Sequence, residues 1–262
     1  MNYTQLLAER IKNRRFRSLI DVNTLLEHLA IITYRVPAER VAKFIPKPFK
    51  LFTFVENGTE FALISAVPFK DKDFAFYRIS KQINFSFYQT NFRTYIIDQR
   101  NNEHCAWFFG TTLGSYTALI PRYLWQMPWQ KGTYKFNCKL TEAGYQQYNM
   151  KFSSKQGKGL VEIVSGTEPM KLLPGFDTLE QQILILTHPT IGYYNISDKK
   201  LGMYEIWHPE MKLYSGISQN LYFEIFEKLG LLTQNEMQNP HSVLITPSIE
   251  FDILLPPRKI RI

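Results

Sequence analysis

The sequence predicts a mainly β protein of the α+β kind, in which a closed antiparallel β-barrel, or a sheet curled towards one, carries a few peripheral helices. Three observations carry that reading. Runs rich in aromatic and β-branched residues recur at short spacing, each bounded by turn-forming residues. The chain has 20 Phe and 15 Tyr, a content that leans towards sheet and can fill its core. Helical periodicity is confined to a few short stretches, so helices decorate the framework rather than build it.

In chain order, the residues up to about Ser18 predict an amphipathic helix packed outside the β body, since Leu6, Leu7 and Ile11 fall at one-turn spacing. A strand is expected over 28–34. Pro37 suits the first turn of a short helix to Phe44, where its missing donor does no harm, and Pro46 and Pro48 end it. Strands over 51–55 and 61–69 flank the turn signal Glu56-Asn57-Gly58-Thr59. The blocks N-F-R-T-Y-I-I-D from Asn91 and C-A-W-F-F-G-T-T-L from Cys105 read as a strand pair joined by a hairpin loop at 99–102. A short helix over 114–125 opens at Ser115. Beyond Pro128, strands over 133–140, 148–153 and 159–164 form a meander. Asp177 and Glu180 have the spacing of a capping box for a helix ending near Leu186. Strands over 192–195, 201–208 and 212–215 follow, then a helix over 219–229 ended by Gly230. Closing strands over 243–245 and 248–255 stop at Pro256-Pro257. With no repeat and no linker, residues 1–262 are expected to form a single domain, with 1–18 as the outer helix.

Composition narrows the function classes. No apolar run reaches the roughly 18 residues of a membrane span, and the first ten residues lack the apolar core of a signal peptide, so a cytoplasmic location is expected. Cys105 and Cys138 are read as free thiols, and two cysteines exclude a cysteine-rich zinc module. The net charge of +8 raises the question of nucleic acid, yet the densest basic run, Arg10 to Arg17, reads as a solvated helix face and no recognition motif accompanies it. His188, His208 and His241 each adjoin a proline and form no H-x-x-x-H pair, so they are assigned capping or surface roles, with no metal and no cofactor expected. No G-x-S-x-G elbow or phosphate-binding P-loop is present.

The N-x-R-T-Y strand, the aromatic strand C-A-W-F-F-G and the following R-Y-L-W-Q-M-P-W resemble the acetoacetate-decarboxylase-like superfamily, and within it the bacterial YqjF-like branch. The resemblance extends from about His28 onward, through V-P-A-E-R-V-A-K-F-I-P, E-F-A-L-I-S-A-V-P-F and D-T-L-E-Q-Q-I-L-I-L-T-H. It implies a cone-like β-barrel. The decarboxylases of that superfamily work through a lysine Schiff base, one lysine being activated by a second beside it; acetoacetate decarboxylase is a standard example of this principle. Their lysines follow a proline in a segment of the type R-x-x-W-x-x-P-K-K. Here the matching positions are Arg122, Trp125 and Pro128, then Trp129 and Gln130, so both amines are missing. Lys131 stands one residue further on, a step that turns a strand side chain to the opposite face. Decarboxylase activity is therefore not expected.

If Asn91, Arg93 and Tyr95 share one face of their strand, they can line an interior cavity together with Arg122, Trp125 and Trp129. Arginine forks bind carboxylates in bidentate fashion and aromatics supply apolar walls, which suits a small organic acid or carbonyl compound. Two other readings stand beside this one. The first is a lyase, hydratase or isomerase of non-Schiff-base mechanism, with Tyr95, Glu205 or Lys131 as titratable candidates. The second is a structural or partner-binding protein that uses its basic N-terminal helix, a role open to a homo-oligomer.

Overall fold

The computed structural model describes residues 2–15, 18–77, 85–116, 122–123 and 126–261. The chain is mainly β. Its strands are β1 (Val22–Pro37), β2 (Phe49–Leu51), β3 (Thr53–Glu56), β4 (Thr59–Phe76), β5 (Phe85–Asp98), β6 (Glu103–Leu113), β7 (Trp129–Thr141), β8 (Gly144–Ser154), β9 (Gly157–Pro169), β10 (Ile191–Ser197), β11 (Lys200–Trp207), β12 (Tyr214–Phe223) and β13 (Ser242–Arg261). Among the described residues five helices accompany them: α1 (Tyr3–Lys12), α2 (Ala38–Ala42), α3 (Leu179–Leu186), α4 (Glu224–Lys228) and α5 (Gln234–Met237).

Strand pairing runs β11-β10-β6-β7-β8-β9-β12-β13-β1-β4-β5-β2, and two further pairings, β11 with β13 and β6 with β5, fold this path back on itself. The result is two closed circuits. Nine strands (β6, β7, β8, β9, β12, β13, β1, β4, β5) make one, and seven (β6, β10, β11, β13, β1, β4, β5) make the other. Five strands belong to both. The nine-strand circuit is solid: Tyr34, Ile64, Phe92, Tyr148, Val161, Leu221, Phe223 and Phe226 form one buried cluster there, each at most 1% exposed.

Serving two circuits requires the shared strands to change face. Along β1, Ala30, Ile32, Tyr34 and Val36 enter the solid cluster, and Leu29 and Ile31 point the other way. Before His28 the parity is reversed, with Val22 and Leu26 on the second side. His28 has φ 55, and the β1–β4 register shifts between Glu27 and Ile32. A one-residue bulge of this kind moves every following side chain to the opposite face. Asp73 does the same on β4, with φ 55 and a register shift between Asp71 and Phe74.

Helix α1 seats Leu7 against Leu184, Ile185 and Leu186 of α3, with Leu6 and Ile11 packed alongside, as the one-turn spacing predicts. Its basic run is solvated at Lys12, Arg14 and Arg15 and buried at Arg10, and its arginines reach the body through ion pairs. Arg10 is buried and bonds the His188 and His104 carbonyls and Glu103; Arg14 pairs with Glu250 and Asp252 and lies 4.1 Å over the Trp207 ring; Arg15 pairs with Glu205.

Several expectations are corrected. Pairing is not wholly antiparallel, because β6 runs parallel to both β10 and β7. Thr178, not Asp177, caps α3, accepting from the Gln181 amide, and Gln181 Oε1 accepts from the Asp177 amide, so the expected capping box of Asp177 and Glu180 does not form. Residues 219–223 are the end of β12, because burial of Leu221 and Phe223 in the solid cluster overrides helical periodicity, and the helix is only α4. Helix α5, with a Thr233–Glu236 capping box, was not foreseen. The closing strands are a single β13 that continues past Pro256-Pro257 and pairs with β11 along Arg258–Arg261. The helix expected over 114–125 falls largely outside the described residues, as does Trp125.

Candidate ligand cavity

The seven-strand circuit lines a partly open cavity of about 300 Å³, room for about ten water molecules or one small organic molecule. Its walls are ladders of alternate residues. Strand β5 contributes Phe85, Phe87, Gln89, Asn91 and Arg93; β4 contributes Val67, Phe69 and Asp71. Val67 lies opposite Asn91, Phe69 opposite Gln89 and Asp71 opposite Phe87. Phe108, Tyr204, Ile206, Phe251 and Ile253 complete the far side, and Met127 and Trp129 cover one flank. The surface is overwhelmingly apolar, so its few polar groups carry its chemistry.

Arg93 is 8% exposed. Its Nη2 donates to the Leu186 carbonyl at 2.8 Å, and its guanidinium lies 5.5 Å from the Tyr95 ring centroid. Among the described residues no carboxylate pairs with it, and Nε has no partner. Beside it, Asn91 Oδ1 accepts from Gln89 Nε2 and from Thr111 Oγ1, both at 2.8 Å, which commits its carbonyl oxygen and orients its amide nitrogen as the remaining donor.

Asp71 is 2% exposed. Thr24 Oγ1 lies 3.2 Å from its Oδ1 and 3.1 Å from the Lys72 carbonyl, so a single hydroxyl proton is divided between them, and Oδ2 has no partner among the described residues. Burial pushes this carboxyl from 3.8 up to about 8, against a small opposing effect of Thr24, so it holds its proton at neutral pH. Burial likewise raises the Tyr204 phenol, with nearby Arg93 pulling weakly the other way. Behind Thr187, His188 and His208 pack with their rings tilted by 45° and centroids 4.2 Å apart, each 1% exposed. Burial lowers His208 to about 4, outweighing the Pro209 and Thr187 carbonyls at 2.7 and 2.9 Å. Burial, the neighbouring ring and Arg10 lower His188 to about 2. The expected surface roles for these two are thus wrong: they are a neutral, buried pair supporting the cavity wall. No cluster of metal-ligating side chains occurs among the described residues.

The family model described as "Uncharacterized conserved protein", DUF2071, matches residues 24–250. The chain belongs to the DUF2071 family. No curated protein matches it. Among solved structures, this DUF2071 protein is similar to the enduracididine biosynthesis enzyme MppR complexed with pyruvate, at TM-score 0.62 and 9% identity over 94% of this chain and 93% of that one. It is similar to acetoacetate decarboxylase from Legionella pneumophila, at 0.58 and 11% over 97% and 94%. An acetoacetate decarboxylase-like enzyme from Sphingomonas wittichii RW1 matches at 0.55 and 8% over 93% and 94%. The DUF2071 chain therefore has the acetoacetate-decarboxylase-like fold, as its sequence resemblance implies.

Of the residues singled out in the DUF2071 sequence, Asn91, Arg93 and Trp129 line the cavity. Tyr95 does not. It lies beyond the cavity, 1% exposed, with its hydroxyl 2.7 Å from Ser65 Oγ, and backs Arg93 instead. Arg122 is outside the lining, its Nη1 donating to Gln130 Oε1 at 2.6 Å. Lys131 is also outside it, with Nζ 3.0 Å from the Tyr116 ring centroid. Asp71, Gln89 and Tyr204 were missed. Extending the odd-residue alternation from Arg93 back to Gln89, and from Val67 and Phe69 on to Asp71, would have found two of them; K-D-K-D instead reads as a solvated strand end. Tyr204 reaches the cavity only through the β11–β13 pairing, which leaves no local signal.

Proposed function

We propose that this protein holds a small organic acid or carbonyl compound in the seven-strand cavity, with the Arg93 guanidinium as anchor and Asn91 and Trp129 as flanking contacts. Arg93 itself carries the reading: a buried cation on an apolar wall, without a counter-charge among the described residues. Such a group is costly to bury unpaired, and a carboxylate entering the cavity offsets that cost through a bidentate fork. MppR was solved as a complex with pyruvate, and a keto acid is the ligand class carried over from it. The reading includes the cone-like barrel as the ligand's container and a cytoplasmic site of action, to which free Cys105 and Cys138 are suited. It expects no Schiff base, since no lysine is among the described lining residues.

Thermal unfolding with a panel of carboxylates, pyruvate and acetoacetate included, should show ligand-dependent stabilisation that Arg93→Ala removes. No shift in the wild type overturns the reading. Borohydride treatment with either keto acid should leave no adduct, and an adduct on Lys131 would restore the amine chemistry. A second reading, a lyase, hydratase or isomerase without a Schiff base, is favoured by Asp71, a protonated carboxyl in the same cavity. It expects reversible hydration of a neutral ketone placed at Asp71, the carboxyl lending its proton to the carbonyl oxygen as water adds and recovering one from that water, read as oxygen-18 exchange that Asp71→Asn slows; exchange no faster than in buffer counts against it.

A further inference from the structure

Asp71 lies at the opposite end of the cavity ladder from Arg93. It faces Phe87 across the β4–β5 pair, and Arg93 is six residues further along β5, about 20 Å of strand at about 3.3 Å per residue. Between them the lining on these two strands is Val67, Phe69, Gln89 and Asn91. Gln89 Nε2 is already committed to Asn91. The cavity thus has a cationic end, a middle where Val67 and Phe69 face the mutually bonded amides Gln89 and Asn91, and a carboxyl end with one oxygen unpartnered among the described residues. An apolar ligand tail would leave that oxygen unsatisfied, which is costly in a dry site, whereas a ligand hydroxyl or neutral carbonyl would satisfy it.

From this geometry we infer that Asp71 is a second polar subsite, so that the ligand is an elongated bifunctional acid: a carboxylate at Arg93, an aliphatic chain, and a hydroxyl, ketone or neutral carboxyl at Asp71. The inference rests on the Arg93 anchor proposed above. A carboxyl that keeps its proton at neutral pH can both donate through that proton and accept, so it takes a hydroxyl or a carbonyl without leaving a second buried charge. Thr24 holds the other oxygen and fixes the carboxyl's orientation.

The test compares octanoic and decanoic acids with their ω-hydroxy derivatives and the matching dicarboxylic acids, by calorimetric titration of wild type, Asp71→Asn, Asp71→Leu and Arg93→Ala. The wild type should prefer the ω-hydroxy acid over the plain acid of equal length by up to about tenfold, the scale of one neutral hydrogen bond. Asp71→Asn keeps a donor and an acceptor and should retain most of this preference. Asp71→Leu should reverse it, since the plain chain then meets an apolar wall. Arg93→Ala should weaken every acid alike. Plain acids that bind the wild type as tightly as ω-hydroxy acids overturn the Asp71 subsite and leave the anchor standing, as does an unchanged ratio in Asp71→Leu. Acids that bind but are indifferent to Arg93→Ala overturn the anchor, and no acid binding at all overturns both. Matched thermal unfolding of each variant separates loss of binding from loss of fold.

Discussion

Replacing Asp71 by Asn should make the protein more stable, and increasingly so as pH rises. The native carboxyl binds its proton with an affinity near pH 8 instead of 3.8, because burial penalises the charged form. A carboxyl raised in this way adds stability while protonated, and that stability drains as pH climbs, since the unfolded chain releases the proton first. The loss starts above about pH 4 and is complete above about pH 8. About four tenfold steps in proton affinity, at about 1.4 kcal/mol each, give a full effect on the order of 5–6 kcal/mol. About 4 kcal/mol of it should fall between pH 5 and 9. Asparagine has nearly the same shape and cannot ionise. Urea unfolding of both proteins at a series of pH values should therefore show a gap in favour of Asp71→Asn that widens across this window. Parallel stability profiles, or a wild type that gains on the variant as pH rises, would refute the claim that Asp71 is buried with its proton.

Other consequences follow from features outside the polar ends. Phe226→Ala, in the solid cluster, should cost about 3–5 kcal/mol in urea unfolding. Gly202→Ala would place a Cβ 2.0 Å from the buried Tyr194 ring, and overpacking of about 1–3 kcal/mol should lower the melting temperature. Arg14→Ala should cost about 1–2 kcal/mol, because it strips a partner from buried Asp252, and should shift Trp207 fluorescence as the indole loses its cation; Trp207→Phe identifies that signal. Lys131→Ala should leave carboxylate binding within error of the wild type by calorimetry, since its ammonium lies on Tyr116, outside the cavity.

What the sequence disclosed depends on how local each signal is. The β5–β6 hairpin, the Asn57-Gly58 turn and the Gly230 helix stop rest on nearest neighbours, and all appear as read. Arg93 was found because a cation amid strand aromatics is anomalous wherever it occurs. Asp71 was not, because its environment is made by strands far away in sequence and by two bulges that no pattern of two-residue alternation anticipates. The same long-range burial explains why the last residues of β12 escaped their helical pattern, and why the N-terminal arginines, which read as a solvated face, are mostly engaged with carboxylates and carbonyls of the body.

The partition between a packed and a hollow circuit has an implication for how such a chain can change. Because β13, β1, β4, β5 and β6 form a wall common to both, each of these strands sends side chains towards the solid cluster and lines the cavity with others. Substitutions on the hollow side can change the cavity lining while the solid cluster stays intact, although a titrating position such as Asp71 carries a pH-dependent stability of its own. The architecture therefore resembles ballast beside a hold, whose lining can be exchanged while the ballast stays in place.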